Sequence, residues 1–267
     1  MSETTRPLAL VTGASSGIGV SYATALARRG FDLVLVARRA DRLRSVADDL
    51  AKLGATATPL VADLGDPQGI ARVADACRER PLELLVNNAG VAHYMPFATL
   101  PPERADEIVL VNTMAVVSLS RAAIGGMVER GHGGIINVAS LLAFSGAMRR
   151  PGLPARAIYA GTKAFMVAFT QVLAAELEAT GVKVQVVCPG VVASEFHSAQ
   201  GIDMSHVPRL MPDDMVRASL ADLDAGVVVS IPTLEDLSAF GEIDKAQGQL
   251  LATALRPSLA SRYGTES

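Results

Sequence analysis

The sequence predicts an α/β protein: one extended parallel sheet with helices on both faces. Two observations carry that expectation. Short apolar runs alternate with segments of helical periodicity from Leu8 to Ile231. The 267 residues, half of them hydrophobic, suit a single domain (1–267) with a sizeable buried core. Aromatic residues make up only 4% and Trp is absent, so that core is built mainly of Ala, Val and Leu. Such residues let helices approach a Val-rich parallel sheet closely.

The elements follow in order. Leu8–Thr12 is the first strand, and the Gly-rich segment 13–19 leads into a helix ending near Arg29. Phe31–Ala37 is a strand, and Ala40–Leu53 a helix with Leu43, Val46, Ala47 and Leu50 on one face. Thr56–Ala62 is a strand. Pro67 opens the next helix, where its missing N–H costs nothing. Glu83–Asn87 is a strand, Pro102–Arg130 a long helix, and Gly133–Ala139 another strand. The helix Ala157–Thr180 ends at Gly181 as a glycine cap, and Val182–Cys188 and Val227–Ile231 complete about seven strands. Right-handed crossovers then place any ligand at the carboxyl ends of the strands. Segments 146–155 and 194–212 have no clear period, and the second is expected to be a lid loop.

Several function classes are excluded by composition. A net charge of −3 without a basic run argues against a nucleic-acid or anionic-membrane surface. Cys77 and Cys188 are too few for a disulfide framework and read as core residues. The N-terminal residues lack the pattern of a signal peptide. The apolar stretch Ile108–Leu119 reads as too short to span a bilayer. A cytoplasmic protein is expected. His93, His132, His197 and His206 form no metal-ligand pair, so no metal is expected.

Chemistry enters at Thr12-Gly13-Ala14-Ser15-Ser16-Gly17-Ile18-Gly19, between a strand and a helix. Gly13 permits a tight turn, Gly17 lets a pyrophosphate approach, and Gly19 lets the helix pack on the sheet. The helix N-terminus supplies free N–H groups and partial positive charge. No Lys follows, so this is not a Walker-type loop. The second strand ends Val36-Ala37-Arg38-Arg39, where NAD-binding folds place an acid for the ribose. A guanidinium there suits the 2′-phosphate of NADP(H), with the Ser15 hydroxyl assisting. Arg38 is the expected ligand; Arg39 reads equally well as a solvated charge.

Tyr159 and Lys163 lie four apart at the start of a helix and so share a face. A free Tyr, with a pKa near 10, is a poor base. A positive charge about 4 Å away is worth roughly 4 kcal/mol at an effective dielectric of about 20. Lys163 is therefore expected to tune Tyr159 as a general acid/base. Ser140, at a strand end, would hydrogen-bond a substrate oxygen.

Taken together, these motifs resemble the short-chain dehydrogenase/reductases in their compact form, from about Pro7 to about Ile231. Asp63-Leu64, Asn87-Asn88-Ala89-Gly90, Asn112 and Pro189-Gly190 complete the pattern. The resemblance implies a Rossmann-type sheet of order 3-2-1-4-5-6-7 and homodimers or homotetramers. It implies that Asp63 and Leu64 border an adenine and that Asn88, Ala89 and Gly90 support the cofactor. Asn112 would position a proton-relaying water, completing a tetrad with Ser140, Tyr159 and Lys163. Pro189, Gly190 and Val192 would flank the nicotinamide. The implied activity is NADP(H)-dependent hydride transfer between nicotinamide and a carbonyl/alcohol substrate. A non-catalytic NADP(H)-sensing or partner-binding protein on the same fold is the alternative. Arg149, Arg150 and Arg156, in and beside the 146–155 insertion, leave two readings open: contacts to an anionic substrate, or surface charges.

Overall fold

The computed structural model describes residues 6–148, 155–204, 206–236 and 238–264. Its contacts divide into two compact units, one reaching Pro232 and one starting at Thr233. The single domain expected over 1–267 is thus replaced by two units. All the expected site residues lie in the first. The second contains a helix, Ser238–Ala254, with no buried residue.

The first unit is a seven-stranded parallel sheet of order β3-β2-β1-β4-β5-β6-β7. The strands are β1 Leu8–Thr12, β2 Asp32–Ala37, β3 Ala57–Val61, β4 Leu82–Asn87, β5 Gly133–Val138, β6 Val182–Val187 and β7 Val229–Ser230. In β2 the run Leu33-Val34-Leu35-Val36 is buried throughout, as a strand covered on both faces requires. Leu33 and Leu35 enter one core with Tyr22, Leu26 and Met215. Val34 and Val36 enter the other, with Leu85, Val111 and Leu119.

Helices α1 Gly17–Arg28, α2 Ala40–Ala51 and α3 Pro67–Glu79 begin where the sequence places them. The long helix expected over Pro102–Arg130 is interrupted: α4 Pro102–Val109 and α5 Ala115–Arg130 flank a π turn, Leu110–Met114. The whole run is 29 residues and, like α6 Ala157–Glu176, is long and apolar enough to cross a membrane by length and composition. That corrects the expectation built on 108–119 alone. Its apolar side is the core of this fold, with Ile108, Val111, Leu119 and Met127 at most 6% exposed.

Gly181 has φ +76°, and a Cβ there would lie 2.3 Å from the Gly131 carbonyl oxygen, so only glycine fits this turn. Beyond β6 come α7 Glu195–Ser198 and α8 Pro212–Asp224. The sequence reading assigned neither, nor α9 Ser238–Ala254. For α8 the signal was present: Pro212 and two acids in the first turn, then Met215, Val216, Leu220 and Leu223 buried at helical spacing.

Strand register sets the site. Thr12 pairs with Val36, Asn87 with Asn137, and Val138 with Val187. The carboxyl ends of β1, β2, β4, β5 and β6 therefore form one edge.

Candidate active site

The floor of that edge is built from Thr12 and Asn88. The Thr12 hydroxyl accepts the N–H of Asn88 and of Ala89, both at 3.0 Å. The Asn88 amide donates to the Thr12 carbonyl at 2.9 Å. Asn88 and Ala89 thereby tie the end of β4 to the end of β1. Asn87 points the other way, into a buried chain through Asn137 to Thr170.

The glycine turn fits a dinucleotide phosphate. Ser16, the residue before α1, makes no side-chain cap, so the first N–H groups of the helix face outward without a side-chain acceptor. A Cβ on Gly19 would stand 2.2 Å from the Gly13 carbonyl oxygen. Gly17 has φ +53°, and a Cβ there would be 2.9 Å from Cβ of Ser194. Gly17 thus leaves room for the close approach of Ser194. Ile18 packs partly buried against the core beneath.

The two arginines after β2 diverge. Arg38 lies 3.5 Å from Glu107, whose carboxylate also meets His93 at 2.9 Å and Arg104 at 3.3 Å. Partial burial pushes the Glu107 carboxyl up, but those partners outweigh it and hold the group below its ordinary value. Arg39 folds over the turn instead. Its guanidinium donates to Ser15 Oγ at 2.9 and 3.2 Å and to Ser16 Oγ at 2.9 Å. Arg39, which the sequence left undecided, is the arginine joined to Ser15. Asp63 caps the following turn by accepting from Gly65 N–H at 2.9 Å, and the Leu64 side chain is buried in the core.

Tyr159 and Lys163 lie on the first turns of α6, both buried. Lys163 Nζ donates to the Val138 carbonyl at 2.8 Å and stands 5.7 Å from the Tyr159 ring centre. A Cβ built on Gly90 would meet Asn112 Oδ1 at 3.5 Å and Lys163 Nζ at 3.6 Å, so the three groups adjoin. Asn112 sits in the π turn, fully buried. Its amide binds the Val91 backbone at both ends, at 3.0 and 2.9 Å, and reaches Thr162 at 3.2 Å. A π turn within a helix often marks a functional position. The Ser140 hydroxyl accepts from Leu142 N–H at 3.1 Å and interacts with the Tyr159 phenol.

Protonation departs from the sequence expectation. Burial pushes the Tyr159 phenol well above its ordinary value, the neighbouring Tyr94 phenol adds to this, and only Ser140 opposes it. Desolvation lowers Lys163 itself to about 8, partly offset by nearby Cys188. Cys188 is raised to about 12, mainly by burial, and Cys77 is likewise buried and unpaired.

The sequence reading did not single out Tyr94, which joins Phe196 and His197 in an aromatic group around Tyr159. Tyr94, from the loop after β4, meets the Tyr159 ring edge-on at 5.6 Å and stacks on His197 at 6.3 Å. Phe196 lies 6.1 Å from Tyr159. Tyr94 and His197 were legible only as loop residues, because aromatic contacts between loops have no sequence period. The segment 194–212 is fastened at its base by a bridge between Val192 and Leu210. It borders a cavity of about 330 Å³ lined by Val192, Ser194, His197 and Met204 among others. The Pro189 carbonyl accepts from Leu141 N–H at 2.9 Å, and Gly190 lies against the Leu141 side chain. Arg149 and Arg150 lie outside the described residues. Arg156 is held by Ser145, through its hydroxyl and its carbonyl, both at 3.0 Å. Among the described residues no group of three His, Cys, Asp or Glu could hold a metal ion.

A nucleotide cradle next to a Tyr–Lys–Ser–Asn cluster, buried but for Ser140, defines a nicotinamide-dependent oxidoreductase class acting on CH–OH and C=O groups. The chain matches the short chain dehydrogenase family model over residues 7–204, and it belongs to the short-chain dehydrogenase/reductase family. It is similar to a short-chain dehydrogenase from Sphingobium yanoikuyae in complex with NADPH, with a TM-score of 0.91 and 36% identity over 96% of this chain and 100% of that one. It is also similar to the bulky-bulky ketone specific alcohol dehydrogenase from Comamonas testosteroni, with a TM-score of 0.87 and 31% identity over 97% and 99%. A very-long-chain 3-oxoacyl-CoA reductase from Coccidioides immitis is 30% identical over 80% of this chain, but the match spans only 61% of that relative's length.

Proposed function

We propose that the chain is an NADP(H)-dependent carbonyl reductase or alcohol dehydrogenase in which Tyr159 is the general acid/base. The observation that carries this reading is the joint placement of Asn112, Ser140, Tyr159 and Lys163 at the strand edge that also bears the glycine turn. The turn residues Gly13 to Gly19, Arg39 and Arg38 would hold the adenosine and phosphate end. Asn88 to Gly90, Lys163, Pro189, Gly190 and Val192 would hold the nicotinamide end. The cofactor, when bound, supplies or accepts the hydride.

The protein's own groups handle the proton. The Ser140 hydroxyl orients the substrate oxygen, and the Tyr159 phenol gives it a proton in reduction or takes one in oxidation. Lys163 would hold a ribose hydroxyl of the cofactor and, with Asn112, would serve the proton path to solvent. Phe196 and His197 exclude water above the site.

The substrate this geometry favours is a neutral ketone with large apolar groups. Met95 and Phe97 after β4, Leu141 and Met148 after β5, and Met211 after β6 are all large, apolar and exposed on loops at this edge. The anionic alternative is weaker, because Arg156 is engaged by Ser145. Resemblance to an enzyme named for bulky ketones points the same way. Two buried, unpaired thiols suit a reducing cytoplasm. Exposed Phe165 and Val172 on α6 suit a homo-oligomer.

The test is NADPH consumption against a panel of diaryl and long-chain ketones, short ketones and 2-oxo acids. Turnover of the bulky neutral members is expected. Tight NADPH binding with no turnover of any member would favour the sensor reading instead.

A further inference from the structure

We propose that Glu195 is a specificity-determining residue that competes with the 2′-phosphate of NADP(H) for Arg39 and couples that phosphate to the lid. The inference rests on the NADP(H) reading above. Glu195 Oε2 accepts from Arg42 at 2.7 Å and from Arg39 at 3.3 Å. The same Arg39 guanidinium is the one bonded to Ser15 and Ser16 on the phosphate-binding turn. A carboxylate is therefore seated on Arg39, a guanidinium that the reading above assigns to the nucleotide's phosphate end.

Two anions that share one guanidinium repel each other, and a phosphate presents more charge and more acceptor oxygens than a carboxylate. The phosphate takes Arg39, and Glu195 is left on Arg42. NADH carries no such phosphate and leaves Glu195 bonded to both arginines. Glu195 thus disfavours NADPH slightly through charge, and it makes the lid sensitive to which cofactor is bound.

The link to the lid is direct. Ser194 approaches Gly17 so closely that a Cβ on Gly17 would be 2.9 Å from its own, and Ser194 Oγ accepts from Phe196 N–H at 3.4 Å. Glu195 opens the short helix α7, and the next residue, Phe196, packs against Tyr159. Shifting Glu195 from Arg39 to Arg42 alone displaces the helix that carries this ring.

The experiment measures dissociation constants of NADPH and NADH by calorimetry for the parent, Glu195→Gln and Glu195→Ala. Both variants are expected to bind NADPH about two- to fivefold more tightly, the range of an exposed ion pair, and NADH within about twofold of the parent. The gain is expected to shrink at high salt. Adenosine 2′,5′-bisphosphate and 5′-AMP serve as probes that lack the nicotinamide half and differ in the 2′-phosphate. The first alone is expected to gain affinity, which separates charge competition from lid damage. In hydrogen exchange on the parent, residues 195–200 are expected to respond differently to NADPH and NADH, and in Glu195→Gln the two responses are expected to converge. Equal shifts for both cofactors, or weaker NADPH binding in the variants, overturn the inference. A parent that binds NADH as tightly as NADPH overturns the cofactor reading instead. A parent that prefers NADPH but is indifferent to Glu195→Gln removes this inference and leaves that reading standing.

Discussion

Burial governs the protonation of both Lys163 and Tyr159. A lysine lowered to about 8 from its ordinary 10.5 binds its proton less readily in the folded than in the unfolded chain. Between those values the unfolded state holds more protons, so this group makes stability rise with pH from about 8 to about 10.5. Below about 8 both states are charged and the full burial cost is present. Lys163→Met is expected to be more stable than the parent near neutral pH, with the advantage fading across that window. Urea unfolding of the two proteins across pH checks it; parallel profiles would contradict a depressed Lys163. Gly17→Ala is the second residue-scale test. The φ of +53° and the Ser194 contact both oppose a Cβ, so NADPH affinity should fall at least about tenfold while the sheet stays folded. Calorimetry and circular dichroism read the two effects, and unchanged affinity would remove Gly17 from the phosphate cradle. Tyr159 and Lys163 were legible as a pair because a helix turn aligns positions four apart. The sign of the Tyr159 shift was not, because it depends on how deeply the phenol is buried and on Tyr94, which is 65 positions away in the chain (159 − 94).

At the scale of elements, alternation of apolar runs with helical periods located the seven strands, while the order in which they pair came from the family resemblance. The π turn at Leu110–Met114 was hidden, because one extra residue per turn leaves the local apolar pattern nearly intact. Its function is to seat Asn112 between the Val91 backbone and Thr162. Asn112→Leu should strand the Val91 groups and destabilise the fold by about 1–3 kcal/mol, measured by denaturant unfolding. A variant as stable as the parent would show that those bonds carry no net weight. The segment 194–212, expected to act as a lid, has a fixed base. Ala193 N–H donates to the Leu210 carbonyl and Leu210 N–H to the Val191 carbonyl, both at 2.9 Å. These two amides should resist hydrogen exchange in every state, whereas 195–204 should gain protection when NADPH and a substrate bind. Uniform exchange from 191 to 210 would contradict a hinged lid. The sequence marked 194–212 as aperiodic, but the bridge at its base pairs residues 18 apart (210 − 192) and leaves no local trace.

For the whole molecule, every residue assigned to the cofactor cradle and the Tyr–Lys cluster lies before Thr233, within one compact unit. A chain ending at Pro232 should therefore still bind NADPH with near-parent affinity, and loss of binding would show that the second unit completes the cradle. The parallel sheet brings Gly13, Asn88, Ser140 and Val192 from four strand ends to one edge, and Tyr159 reaches it from α6. That convergence is a property of topology, and the sequence displayed it as separated motifs in the right order. Substrate choice belongs to loops, whose shape no periodicity encodes. The most direct measurement is NADPH oxidation with a bulky neutral ketone by the parent and by Tyr159→Phe, alongside NADPH binding by both. The parent is expected to turn over, and the variant to bind NADPH equally well while losing about 10²–10⁴-fold in rate. Near-parent turnover by Tyr159→Phe would contradict the assignment of Tyr159 as the acid/base.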